Sequence, residues 1–310
     1  MTGPTLKDPE REAALDRDGF VLLPGLAVAD LDFLRSMSER MPPPPEPELA
    51  IAAATAAASS VAWDHRMAPG EGWRIGSDDS QADDRRRVHR DMAPFWERIA
   101  ADVLVDHRVV FTSFLTKLPG DASVLPLHQD PSFVDERHHR AITMWVAVDD
   151  ITAAEGNGAL HVLAGSHRVG LELRGTRTEP TYIEHQHRLW PFALGVDARA
   201  GDVLVMDTRL LHGSPPNRSP RPRNALAGVL VPRGAELLHA VGVEGDRVEI
   251  LRVDEDFYAH TSPRSLREHI PEGYEVVEII PRTTDPTTAD ALVAQQRRRL
   301  PWHRRLFRRA

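Results

Sequence analysis

The 310-residue chain contains no cysteine. Disulfides and thiolate metal sites are therefore excluded, and any bound metal must draw on histidine, carboxylate or other oxygen ligands. No apolar run in the sequence reaches the roughly 18 residues of a membrane-spanning helix. The start, MTGPTLKDPEREAALDRDGF, has neither a basic n-region nor an apolar h-region, so no secretory signal is expected and the expected location is the cytoplasm. Acidic residues outnumber basic ones, 46 to 38. The formal net charge is -8, which disfavours nucleic acid as a partner because phosphate binding needs a basic footprint. The end runs against this balance: RRRLPWHRRLFRRA (297–310) carries seven arginines and no acid. Two readings of it stay open. It is a solvated, disordered tail, or it docks on an acidic partner such as a carrier protein, or on an anionic membrane surface.

A hydrophobic content of 41% with 27% charge fits a globular protein with a real core. PEREAALDRDG (9–19) has helix formers ending at Gly19, FVLLPGL (20–26) is a brief apolar strand, and AVADLDFLRSMSERM (27–41) returns to helical spacing. PPPPEPELAIAAATAAASS (42–60) reads as a surface insertion, and DMAPFWERIAADVL (91–104) as a helix with Pro94 near its first turn. From about residue 108 short apolar segments recur between Gly, Pro, Asn and Asp: 109–118, 141–150, 158–165, 201–213 and 224–232. In AITMWVAVDD (141–150), Ile142, Met144, Val146 and Val148 share one face while Thr143, Trp145 and Ala147 share the other. The expected architecture is mainly β, a sandwich or jelly roll with an N-terminal helical layer. The expected divisions are a helical layer over 1–107, a jelly-roll core over 108–290 and a basic tail over 291–310.

Fifteen histidines and 46 acidic residues among 310 positions predict about two His-x-acid pairs by chance. Two are present: His89 with Asp91, and His128 with Asp130. The first pair falls at the start of the expected 91–104 helix, where Asp91 suits a cap or first-turn position and His89 an exposed one. The second follows a strand and a Pro-Gly loop. Residues i and i+2 of an extended backbone project to one side, so His128 and Asp130 can converge on one point. His212, ending a strand 84 positions downstream, offers a third ligand. Two histidines and one carboxylate on one face of an octahedral ion leave three positions open. Arg223, eleven residues further, could fork to a carboxylate, although spacing alone favours a surface arginine in the basic turn with Arg218 and Arg221.

The motifs DGFVLLPGL (18–26), TKLPG (116–120), LHQDPSF (127–133), MWVAVDD (144–150), EGNGALHVLAGSH (155–167) and GDVLVMDTRLLHGSPPNRSPRPRNAL (201–226), in this order, resemble the phytanoyl-CoA dioxygenase family. The resemblance covers roughly residues 12–40 and 108–232. It implies a double-stranded β-helix (jelly-roll) core and a reaction that uses Fe(II), 2-oxoglutarate and O2. It also implies that His128, Asp130 and His212 hold the iron, and it reverses the reading of Arg223, which becomes the grip on the far carboxylate of 2-oxoglutarate. Ser214 matches a second contact to that carboxylate and Trp145 a lining residue, with Lys117 and Ser113 where the cosubstrate pocket begins. Asn157, Gly158, Gly165 and Ser166 match a turn signature, which leaves His161 and His167 structural.

Phe133, His185, His187 and Trp190 are the candidates for substrate contact. The last three lie in VGLELRGTRTEPTYIEHQHRLWPF (169–192), a charged segment that fits either a substrate-facing loop or a plain surface insertion. The resemblance implies hydroxylation of a small metabolite or biosynthetic intermediate, free or carried on a carrier protein. Desaturation or cyclisation would use the same triad. Asp130 speaks against halogenation, since related halogenases carry a small residue there. Two competing expectations remain: a cupin-like metalloenzyme that works without 2-oxoglutarate, and a catalytically silent binding protein on the same fold.

Overall fold

Asp8 accepts hydrogen bonds from the backbone N–H groups of Glu10 and Arg11, and Pro9 fills the first helical position, so helix α1 (Pro9–Asp18) starts there. It ends at Gly19, whose φ of 84° is the left-handed conformation that glycine supplies. The computed structural model describes residues 3–40, 73–75, 82–169, 173–178, 185–261, 265–266, 269–282 and 288–299. The expected insertion at 42–60 lies outside them. After α1 come strand β1 (Phe20–Leu23), helix α2 (Leu31–Glu39), β2 (Trp73–Ile75) and the long helix α3 (Ala82–Val103).

α3 corrects one expectation. It begins nine residues before Asp91, so Asp91 and His89 sit in mid-helix and Pro94 lies well inside. DDRRR is therefore not a lead-in but helical surface: Arg86 and Arg87 pair with Asp83 and Asp84 one turn earlier. His89 is half-buried, and burial lowers its pKa. The opposite stripe of the helix, Val88, Met92, Phe95, Trp96, Ile99 and Val103, is buried.

Thirteen strands follow this helical layer or interleave with it among the described residues. Those after α3 are β3 (His107–Lys117), β4 (Leu125–His128), β5 (Ile142–Ala147), β6 (Leu160–Val162), β7 (Leu194–Val196), β8 (Val203–Asp207), β9 (His212–Ser214) and β10 (Arg223–Pro232). β11 (Leu237–Val243), β12 (Arg247–Val253) and β13 (Glu275–Pro281) complete the set. A six-stranded sheet runs β1-β8-β5-β10-β3-β2, a four-stranded one β4-β9-β6-β7, and neighbours in both are antiparallel. Trp145, Ala147, Leu204, Met206 and Ala225 of the first sheet form one buried cluster with Leu160, Val162 and Val196 of the second. The two sheets thus face each other, and the core is the expected jelly roll.

The outer face of the larger sheet carries Ile142, Met144, Val146, Val148, Val203 and Val205, which pack on Leu15, Leu34, Met92, Trp96 and Ile99 of the helices. Every residue of β5 is consequently buried, with its two faces in two different cores. β11, β12 and β13 make a third sheet in that order, packed with helix α5 (Glu255–His260) on Phe133, Val110 and Val231. A short helix, α4 (Gln186–Leu189), and a longer one, α6 (Thr288–Arg299), lie over the smaller sheet through Leu189, Leu292 and Val293. The arginines Arg297–Arg299 therefore close a docked helix rather than open a solvated tail. Residues 300–310 lie outside the described ones.

Gly228 on β10 faces the helical layer, and a Cβ there would stand 2.5 Å from the Trp96 ring. Trp96 is held in place by its indole N–H, which donates to Thr112 Oγ1 at 3.0 Å. Gly228→Ala is expected to destabilise the fold by about 1–3 kcal/mol through overpacking. Chemical denaturation of both proteins checks this, with the loss appearing in the midpoint and not in the slope.

Candidate metal centre

β4 and β9 pair through a bulge: Leu125 stands opposite Ser214 and His128 opposite His212, so β4 holds one extra residue. The sequence explains the bulge at both sides. Pro126 brings no N–H to the ladder, and Gly213 leaves room where a Cβ would come within 2.7 Å of the Leu125 carbonyl oxygen. The pairing sets the His128 and His212 rings 4.3 Å apart. His128 Nδ1 bonds to the Pro126 carbonyl at 2.9 Å, and His212 Nδ1 to the Leu210 carbonyl at 2.9 Å. A carbonyl can only accept, so both Nδ1 atoms carry a proton and Nε2 is the ring atom left for a metal. Burial, with the adjacent His212 ring, pushes His128 down to about 4, which keeps it neutral near pH 7.

Asp130 completes the set. Its Oδ2 accepts from Thr143 Oγ1 at 2.5 Å, while Oδ1 lies 3.9 Å from His212 Nε2. Ligand atoms of His128, Asp130 and His212 all lie within 4.8 Å of one another. Two imidazoles, each held through Nδ1 by a backbone carbonyl, and one restrained carboxylate suit a divalent transition metal. Thr143 escaped the sequence reading as a site residue, although it lies on the β5 face that also carries Trp145.

The other end of the same interior is cationic. Lys117 and Arg223 are direct cross-strand partners on β3 and β10, exposed by only 0% and 2%. Lys117 Nζ donates to Ser214 Oγ at 2.5 Å, and Arg223 Nη2 donates to the Gly158 carbonyl at 2.7 Å. The Arg223 guanidinium lies 5.5 Å from the centre of the Trp145 ring, a cation–π contact. Gly158, at φ 75°, is required here, because a Cβ would sit 2.4 Å from Lys117 Cε. Burial, reinforced by Arg223, pushes the Lys117 ammonium down to about 6, and burial lowers Arg223 to about 10. Two basic side chains opposed in the interior are a candidate anion site, and an anion bound there would favour the charged form of Lys117. Ser113 is buried on the same β3 face, four residues before Lys117.

Of the substrate candidates, the structure takes two away from this interior. Phe133 packs on the Tyr258 ring at 4.7 Å, within the cluster under the third sheet. Trp190 joins Leu127, Leu163, Leu189 and Leu211. Leu127 and Leu211 each precede a histidine of the triad, so pleat alternation puts them, and Trp190 with them, on the outer face of the smaller sheet. His161 is there too, 5.6 Å from Trp190. His187 is exposed and His185 half-buried beside α4. His167 is buried with Nε2 on the Asp16 carbonyl at 3.2 Å. Leu189 and Trp190 of the segment 169–192 thus help to cover the outer face of the smaller sheet.

The same segment supplies polar groups that no sequence signal marked. The Gln186 amide donates to the Leu127 carbonyl at 2.7 Å and accepts from the Leu127 N–H at 2.9 Å, standing in for a neighbouring strand beside His128. Arg174 Nε donates to the Asp130 carbonyl at 2.8 Å.

Two facing antiparallel sheets, with two histidines and one carboxylate gathered on the inner side of the smaller one, define a double-stranded β-helix protein with a candidate metal centre. The chain belongs to the phytanoyl-CoA dioxygenase family (PhyH), whose sequence model matches residues 15–225. Phytanoyl-CoA dioxygenase 1 of Oryza sativa subsp. japonica is 29% identical over 140 residues, which is 44% of this chain and 46% of the rice protein. The match therefore spans less than half of that relative's length. EvdO2 of Micromonospora carbonacea var. aurantiaca resembles 75% of this chain over 94% of its own, at TM-score 0.49 and 20% identity. HygX of Streptomyces hygroscopicus, solved with nickel, 2-oxoglutarate and hygromycin B, resembles 73% of this chain over 88% of its own, at TM-score 0.46 and 19% identity.

The buried lysine yields a pH test. Its folded pKa of about 6 lies below the unfolded value of about 10.4, so between the two the unfolded state binds more protons. Stability must then rise with pH across this window. Lys117→Met is expected to flatten that rise, read as the difference in denaturation midpoints of the two proteins between pH 6 and pH 10.

Proposed function

We propose that the chain is a cytoplasmic Fe(II)- and 2-oxoglutarate-dependent dioxygenase that hydroxylates an unactivated C–H bond of a small biosynthetic metabolite. The supporting observation is that one histidine of the triad and the serine that accepts from Lys117 share one strand. His212 and Ser214 are two residues apart on β9 and face the same side. Two residues of strand advance about 6.6 Å, a distance that a five-carbon dicarboxylate suits. When bound, the iron with 2-oxoglutarate and O2 supplies the oxidising power, giving hydroxylated product, succinate and CO2.

The protein's own groups do the rest. His128, Asp130 and His212 would hold the ion. Arg223, Lys117 and Ser214 take the distal carboxylate, and Gly158 lets the lysine stem pass. Trp145 walls the space between them, and Thr143 keeps the Asp130 carboxylate from turning. Burial of both cations makes their charge count for more than it would in water. An intact carboxylate at Asp130 favours hydroxylation over halogenation, while desaturation or cyclisation needs no different residue set. A carrier-protein-bound substrate is the second form that the basic 297–310 segment would suit.

Anaerobic titration of the purified apoprotein with Fe(II) and then 2-oxoglutarate tests the reading. A weak visible charge-transfer band is expected, absent in His128→Ala. Arg223→Ala should raise the half-saturating 2-oxoglutarate concentration by roughly 10- to 100-fold, since a buried hydrogen bond to a charged group contributes about 1.5–3 kcal/mol. Iron binding with no band would move a cosubstrate-free, cupin-like metalloenzyme ahead. Binding of neither would leave a silent jelly-roll binding protein.

A further inference from the structure

The stretch that carries Asp130 is the least regular part of the centre. β4 stops at His128, and residues 129–132 belong to no strand or helix. An aspartate on irregular backbone needs other restraints before it can serve as a fixed ligand. The Asp130 N–H donates to the Thr208 carbonyl at 3.0 Å, and its own carbonyl accepts from Arg174 Nε at 2.8 Å. Ser132 is tied to the same arginine twice: its N–H donates to the Arg174 carbonyl at 2.8 Å, and its Oγ accepts from the Arg174 N–H at 3.2 Å.

Arg174 is itself clamped. Its Nη1 donates to Glu136 Oε2 at 3.0 Å and its Nη2 to Glu136 Oε1 at 2.5 Å, a two-pronged pair with side chains only 6% and 11% exposed. Glu136 also accepts from Ser132 Oγ at 3.3 Å and Thr208 Oγ1 at 3.4 Å. A buried ion pair is a poor device for stability, since desolvation offsets most of the attraction. Its merit is fixed geometry, because the planar guanidinium leaves Nε aimed along one direction while the fork is occupied.

The strap that presents Arg174 is anchored beyond the part of the chain that matches the family. Thr176 N–H donates to the Ala240 carbonyl at 2.9 Å, and Gly242 N–H donates to the Thr176 carbonyl at 2.8 Å, so the strap lies along β11. Thr176 Oγ1 bonds His239 Nε2 at 2.9 Å. Glycines allow the close approach: a Cβ on Gly175 would lie 2.0 Å from the Ala240 carbonyl oxygen, and one on Gly242 would lie 2.1 Å from the Arg177 carbonyl oxygen.

We propose that Arg174 is a positioning residue for the metal centre, by which the strap and the third sheet fix the backbone of Asp130. The proposal rests on the metal-site reading above and adds to it a dependence on residues 173–178 and 237–243. Asp130 thereby has its N–H, its carbonyl and one carboxylate oxygen restrained, which leaves Oδ1 to the ion.

Two variants test it in the full-length protein. Arg174→Lys keeps a cation for Glu136, but one ammonium cannot serve both the carboxylate and the Asp130 carbonyl in the same geometry. Arg174→Met with Glu136→Gln removes the clamp without leaving a charge unpaired, so the fold is retained. Co(II) is the probe, read by its dissociation constant and its visible d–d spectrum, with the apoprotein thermal midpoint as the control for folding. The expected result is Co(II) affinity lower by about 10- to 100-fold in both variants, the range seen when groups behind metal ligands are removed. An altered d–d spectrum should accompany it, with the apoprotein midpoint of the double variant close to wild type. Wild-type affinity and spectrum in either folded variant overturns the assignment of Arg174 while leaving the metal site standing. Failure of the wild-type protein to bind Co(II) instead sinks the metal-site reading, and this inference with it.

Discussion

The candidate centre depends on one cross-strand pair, His128 against His212. Because the ladder of β4 and β9 is short, this register decides almost everything else. It turns Leu127 and Leu211 outward into the cover of α4 and α6. It turns Ser214 inward, where Lys117 finds its acceptor. A slip of one residue would exchange the faces and send both imidazoles to the outside. Pro126 and Gly213 guard against the slip, the first by withholding a ladder donor and the second by admitting a backbone that a side chain would repel. The candidate metal centre and the acceptor of Lys117 are thus held in mutual register by three residues of strand.

β5 ties the same two ends together from the opposite sheet. Thr143 reaches the Asp130 carboxylate and Trp145 lies against the Arg223 guanidinium. Two kinds of buried pair lie around it. Arg174 and Glu136 form a closed pair whose charges satisfy each other. Lys117 and Arg223 are opposed basic groups whose charged forms burial disfavours.

Much of this was legible in the sequence, and the reasons are local. The face shared by Ile142, Met144, Val146 and Val148 follows from a period of two, and the structure packs all four against the helices. The helix formers that end at Gly19 mark α1, and the structure adds Asp8 as its cap. What escaped was non-local. The charge run before His89 looks like a loop in isolation, and only the buried stripe on its far side makes it helix. β11, β12 and β13 form a sheet of their own, which depends on pairing between strands and not on any local signal. Spacing by itself put Arg223 on the surface, where its neighbours Arg218 and Arg221 do lie toward solvent; the family resemblance put it inside, and there it is buried. Arg174 and Gln186 had no signal at all, since their partners are backbone groups of residues 44 and 59 positions away.

α6 has a bearing on how the chain acquires its form. Gln295 and Gln296 donate to the carbonyls of Gly165 and Ala164, both at 2.9 Å, and Arg299 reaches the Arg17 carbonyl and the Asp18 carboxylate at the end of α1. The last of these contacts joins residues 281 positions apart. Closure of so long a loop carries a high entropic cost and falls late in folding. On the ribosome α1 emerges before α6, and the Arg17 carbonyl and Asp18 carboxylate lack these contacts until α6 has been made. The first helix is therefore sealed by the last one described, and a chain stalled anywhere between them keeps the outer face of the smaller sheet, with Leu127, Leu163 and Leu211, without part of its cover.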